Sequence, residues 1–200
     1  MTMEELAALE DEWTPKFAMD NVPYDRVEPW QMKVYEAWNK IFGLYVVEAR
    51  NGDVEALKRA LFLYWYSWAE PCWLSGICVL DDDLSIEVLG MVNNIVKNGA
   101  LDIEFKWMIS CYYAVADLYI DNFEGFDELK KISKIIDSDL WMEYIEKACF
   151  SGRGQMGNYW QSIQYTINEE GGVCRYKKMP QNLKNCKSCN GSLDGIFQKS

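Results

Sequence analysis

Residues 53–71 read DVEALKRALFLYWYSWAEP, and this stretch decides the fold class. Asp53 is a strong helix N-cap residue, because its side-chain oxygen can accept a bond from an otherwise unpaired backbone N–H. From Ala60 the chain is apolar on nearly every side, with Leu61, Phe62, Leu63, Tyr64, Trp65, Tyr66 and Trp68 in close succession. A helix apolar all round is one that other helices surround. Pro71 stops it, since proline lacks the N–H and clashes with the preceding turn. The expectation is a central helix over 53–69 within an all-α fold. The apolar run from Ala60 to Ala69 is about half of the ~20 residues that a membrane helix needs, so no membrane span is expected.

Helical patterning continues on both sides. Thr2 and Glu5 have the spacing of a capping box, and Leu6, Leu9 and Trp13 follow at helical intervals until Pro15. Residues 14–28, with Pro15 and Pro23, read as an irregular connector before Pro29. Over 30–50, Val34, Trp38, Ile41, Phe42 and Tyr45 line one face, and Asn51-Gly52 supplies a left-handed stop. Beyond Pro71, a short segment from Cys72 to Leu80 leads to Asp81-Asp82-Asp83. Helices are then expected over 84–97, 102–121, 126–136, 139–150 and 155–168. Period-two alternation with turn spacing, the mark of strands, is missing from residues 1–168.

One internal echo bears on the architecture. Asn51-Gly52-Asp53 and Asn98-Gly99 with Asp102 both join one helix to an aromatic-rich successor, and the Asn-Gly pairs stand 47 residues apart. That spacing is near the ~40–47-residue period of HEAT and armadillo helical pairs. Two arrangements follow: stacked helical hairpins of HEAT-like form, or an irregular α-bundle. After Glu170-Gly171-Gly172 the chain turns polar and basic. This suggests a helical domain over 1–170 and a small basic, Cys-containing C-terminal tail over 171–200.

The 200 residues carry a net charge of −11, unevenly spread. Between Cys174 and Ser200 six basic residues face one acid, Asp194, a net of +5 that leaves −16 on the rest. Such a body repels phosphate backbones and attracts basic proteins. Nucleic-acid contact is therefore unexpected for the body and conceivable only for the tail, where Arg175, Tyr176, Lys177 and Lys178 mix charge with an aromatic ring. The acidic start, Met1 to Glu5, does not have the basic residues of a signal peptide. Cys72, Cys78, Cys111 and Cys149 sit in apolar patterns and read as reduced core thiols of a cytoplasmic protein.

Histidine is absent. This removes Ser-His-Asp and Cys-His catalysis in their usual forms, His-containing zinc sites and the Glu-x-x-His di-iron pattern. Glu143 and Glu146 share a helix face without the needed histidine. Gly152-Arg-Gly154-Gln-Met-Gly157 has the letters of a dinucleotide fingerprint, but the residues before it read as helix rather than strand. A helix end and turn is the expected use of these glycines.

Three features retain possible chemistry. Cys174, Cys186 and Cys189 are candidate metal ligands for a structural zinc, which needs a fourth donor such as Asp194. No other cofactor is expected. Asp81, Asp82 and Asp83 lack the ligand spacing of a calcium loop and suit a helix N-terminus or an acidic contact surface. Glu70, between Trp68 and Pro71-Cys72-Trp73, is placed either to bond free backbone groups at a helix break or to act as a general acid or base in an aromatic setting.

Nothing here marks an enzyme. Small acidic chains without catalytic motifs include bacterial immunity proteins, antitoxins and phage counter-defence inhibitors, a likeness of general character only. The leading expectation is an acidic protein-interaction module of inhibitor or immunity/antitoxin type that binds a basic partner protein. Glu70, Trp73, Asp81, Asp82 and Asp83 are its candidate partner-binding residues. The alternatives are a nucleic-acid or surface contact through the tail, and a carboxylate-based hydrolase.

Overall fold

In the computed structural model the described residues are 1–14, 29–78, 80–135, 144–145 and 148–169, the side chains of residues 73 and 165–169 aside. Their helices are α1 (Met3–Trp13), α2 (Pro29–Arg50), α3 (Val54–Ala69), α4 (Cys72–Ser75), α5 (Asp82–Lys97), α6 (Ile103–Val115), α7 (Leu118–Asp121), α8 (Asp127–Ser133) and α9 (Gly154–Glu169). Among the described residues there is no strand, so the fold is all-α. No helix among them is long and apolar enough to cross a membrane. The chain divides into two units, Met1–Ile136 and Asp137–Ser200.

In the first unit α3 occupies the middle. It packs against α2, α5, α6 and α7, and every residue from Ala56 to Trp65 is buried. Each large apolar side chain so buried contributes about 1.5–3 kcal/mol. Trp65 stacks on Tyr112 with ring centroids 4.5 Å apart. Its indole N–H donates to the Tyr112 carbonyl at 2.8 Å. The burial includes two cations that the apolar reading of α3 passed over. Lys58 pairs with the buried Glu104 at 3.0 Å and with Asp102 at 2.8 Å. Arg59 bonds Glu55 at 2.8 Å and the Met3 carbonyl at 3.1 Å. It also reaches the Tyr45 hydroxyl, which in turn donates to the buried Glu10.

The helix starts follow local chemistry. Thr2 and Glu5 form the expected capping box. Asp53, Asp81 and Asp102 each accept a backbone N–H of the turn that follows, at 2.9, 3.0 and 2.6 Å. The Asn-Gly echo is real in the backbone. Gly52 and Gly99 adopt left-handed φ angles of 95° and 66°. In both, the next N–H returns to a carbonyl five residues back, Asp53 to Glu48 and Ala100 to Ile95, as in a Schellman stop. The packing around the two stops differs. α2 lies along α3, whereas α5 and α6 each pack on α8 and on α3. Of the two arrangements left open by the sequence, this is the irregular bundle.

Element boundaries shift where tertiary contacts intervene. The helix expected over 102–121 breaks at Ala116 (φ −150°, ψ 88°) into α6 and α7. Its apolar period runs on through Tyr119 and Ile120, so periodicity alone could not find the break. The Tyr119 carbonyl accepts the Tyr64 hydroxyl of α3 at 2.9 Å. α5 begins at Asp82 rather than Leu84, because Asp81 is its cap. The short segment after Pro71 contains one helical turn, α4, closed by Gly76 at φ 73°. The connector 15–28 lies outside the described residues.

In the second unit, Tyr144 and Ile145 are helical but Ala148–Phe150 are not, so the helix expected over 139–150 ends early. α9 carries Gln164, whose amide donates to the carbonyls of Ile145 and Ala148. Cys149 is disulfide-bonded, which corrects its reading as a reduced thiol; a single sequence shows no pairing. Cys72, Cys78 and Cys111 are free.

Candidate functional site

The expected partner-binding residues cluster by sequence around the turn from α3 to α5. α3 emerges from the interior over its last turn. Trp65 is buried, and three residues on Trp68 is 44% exposed. Trp68 leans edge-on to Tyr64 at 6.5 Å. Burial raises the Tyr64 hydroxyl pKa above the usual range, and the negative charge of Asp82 adds to the rise. The Asp82 carboxylate therefore lies within electrostatic reach of the Tyr64–Trp68 pair. Glu70 takes an extended conformation (φ −118°, ψ 135°), as a residue before proline prefers. Its N–H still closes α3 on the Tyr66 carbonyl at 2.9 Å. Among the described residues no hydrogen bond or ion pair reaches the Glu70 carboxylate. The backbone itself, not the Glu70 side chain, makes the bond at the break.

Asp81 has a structural task. It caps α5 through Leu84, and its own N–H donates to Asn39 of α2 at 3.1 Å. Asp82 and Asp83 occupy the exposed first turn of α5, where carboxylates interact favourably with the helix dipole. Neither makes an ion pair among the described residues. Trp73 lies on α4, next to Leu74, which is 50% exposed. The structure thus brings Asp82 to Tyr64 and Trp68. No contact among the described residues joins Glu70 to the aspartates, so the paired-carboxylate geometry of a hydrolase is not formed there. Trp68, the exposed aromatic ring, escaped the sequence reading because it shares the apolar pattern of α3. The one available signal was its place in the last turn before Glu70-Pro71.

Among the described residues no group of three or more potential ligands converges on a metal position. Cys174, Cys186, Cys189 and the zinc they suggested lie outside the described residues, as do Glu143 and Glu146. The glycines of the dinucleotide-like stretch serve the backbone. Gly152 and Gly154 adopt φ angles of 74° and 58°. A Cβ on Gly157 would stand 2.2 Å from the Phe150 carbonyl oxygen. No strand precedes them, and the fingerprint reading falls away. Comparison with protein-family models, with curated proteins and with solved structures gives no match for this chain.

Proposed function

We propose that this chain is an acidic protein-interaction module that binds a basic partner protein through the α3–α5 corner, as an inhibitor or an immunity/antitoxin-type protein does. The observation that carries this reading is Trp68, a half-exposed indole backed by Tyr64 and flanked by the charge of Asp82. Partly exposed tryptophan is the residue type most enriched at binding hot spots. Carboxylates around it steer and orient a cationic partner. The net charge of −11 extends that attraction beyond the corner.

The test is affinity capture from the native host lysate, with wild type beside a Trp68→Ala/Asp82→Asn/Asp83→Asn variant. Asp81 is left intact because it caps α5. The expected result is one basic protein retained by wild type at low salt. Its recovery should fall about tenfold or more at high salt, as screening of surface charge requires, and equally in the variant. Identical retained proteins on wild type and variant would remove the corner from consideration.

A further inference from the structure

Two of the free cysteines meet at the turn that follows α3. Cys72 opens α4 and Cys78 lies six residues on. The chain reverses between them because Gly76 takes a left-handed φ of 73°, which a side-chain-bearing residue resists. The Gly76 N–H returns to the Cys72 carbonyl at 2.9 Å. Ser75 fastens the same turn, its hydroxyl accepting the Ile77 N–H at 3.1 Å. The reversal brings the two thiols into hydrogen-bonding contact. A third group joins them from α2: the Tyr35 hydroxyl also hydrogen-bonds Cys72. Both cysteines are partly exposed, so small reagents can reach them.

We infer that Cys72 and Cys78 form a redox-active dithiol that a low-molecular-weight disulfide such as glutathione disulfide oxidises to a Cys72–Cys78 disulfide. The order of attack follows from the environment. Burial and the contact with Cys72 push the Cys78 thiol up to about 12, so it keeps its proton at neutral pH and is a poor nucleophile. Cys72 reacts first. Its thiolate attacks one sulfur of glutathione disulfide, forms a mixed disulfide and releases one glutathione thiolate, which takes up a proton. Cys78 then loses its proton to solvent and attacks the Cys72 sulfur, and the second glutathione leaves. Two cysteine thiols are oxidised and one glutathione disulfide is reduced to two glutathiones. The ring that closes holds Trp73, Leu74 and Gly76 and fixes the turn between α3 and α5. The inference does not depend on the partner-binding reading, because its test needs no partner.

The sequence offers a clean assay. No Lys or Arg lies between Arg59 and Lys97, so trypsin yields one peptide, residues 60–97, whose only cysteines are Cys72 and Cys78. Full-length protein is equilibrated with graded ratios of glutathione disulfide to glutathione, quenched, alkylated, digested and weighed. As the ratio rises, the peptide should lose both alkyl groups together and the mass of two hydrogens, while Cys111 remains alkylated. Alkylation of the pair should fall about tenfold or more below that of Cys111. Cys78→Ser should trap glutathione on Cys72, and Cys72→Ser should leave Cys78 alkylated, both with unchanged far-ultraviolet circular dichroism. Two alkyl groups at every ratio would overturn the inference, and so would a wild-type glutathione adduct that never resolves.

Discussion

Lys58 and Glu104 occupy positions where the apolar surroundings of α3 ask for leucine. Their side chains are only 6% and 1% exposed, and they meet at 3.0 Å. Taking two charges out of water costs several kcal/mol per ion, which the pair recovers only through close geometry and added bonds. Here Asp102 adds a second contact to Lys58 at 2.8 Å, and the ammonium lies 5.8 Å from the Phe105 ring centre. Removing one partner strands the other. Glu104→Ala should destabilise the protein by about 3 kcal/mol, the lower end of the range for breaking a buried pair, because Lys58 keeps Asp102. The double variant Lys58→Met/Glu104→Leu should recover most of that loss. Urea melts of the three proteins decide it, and a cost below ~1 kcal/mol for Glu104→Ala would place the pair among ordinary surface ion pairs. The sequence hid this arrangement for a physical reason. Helical periodicity treats a charge as a solvent-facing residue, and the partner that makes burial tolerable lies 46 residues away. By contrast, the capping roles of Asp53, Asp81 and Asp102 were open to view, because a cap and its turn are neighbours in the chain.

At the scale of elements, α2 and α5 are tied across the outside of the bundle by Arg50 and Glu87, whose two bonds both measure 2.6 Å. The bond from Arg50 holds the Glu87 carboxyl below its usual value, outweighing the small opposing effect of burial. A carboxylate with a lowered folded pKa contributes stability that is fully present above its unfolded pKa. That contribution disappears as pH falls through the folded one. Glu87→Gln should therefore lower the melting temperature near pH 7, and the difference from wild type should shrink toward zero as the pH is taken below the usual carboxylate range. A difference that persists unchanged at low pH would mean that packing of the side chain, not its charge, is what the substitution removes. Helix existence was largely readable in the sequence, since each of α1, α2, α3, α5 and α6 has both a stop or cap residue and a sustained apolar face. Boundaries were not readable where a distant group competes with the helix. The Tyr64 hydroxyl claims the Tyr119 carbonyl and α6 ends at Val115. At α8 the residue before the helix, Phe126, offers no side-chain cap, and Asn93 of α5 bonds the Leu129 N–H at 3.0 Å instead. The candidate site divides the same way. The aspartates at the start of α5 follow from local grammar, whereas the exposure of Trp68 depends on which helices stop short of the last turn of α3.

On the scale of the whole molecule, the organising fact is that the polar ties of the first unit close within it. Glu10, Tyr45 and Arg59 connect α1, α2 and α3. Lys58, Asp102 and Glu104 join α3 to the start of α6. Asn93 joins α5 to α8, and the Ser110 hydroxyl of α6 donates to the Ile135 carbonyl at 2.9 Å. The centre, α3 from Ala56 to Trp65, lies among helices of that same unit. A segment with its own core and its own satisfied polar groups has what a domain needs to fold alone. Residues 1–136 expressed by themselves should therefore be strongly helical by circular dichroism and unfold in one cooperative transition. The burial of Trp38, Trp65 and Trp107 should give a blue-shifted tryptophan emission that moves red through the same transition. Residues 1–170, the domain expected from composition, form the comparison. If 1–170 folds cooperatively and 1–136 does not, the second unit is part of the same cooperative core and the division at Asp137 is one of contacts only. If both melt cooperatively, the α3–α5 corner and its dithiol belong to an autonomous module, and partner capture and glutathione oxidation can be repeated on 1–136 free of Cys149 and the tail cysteines.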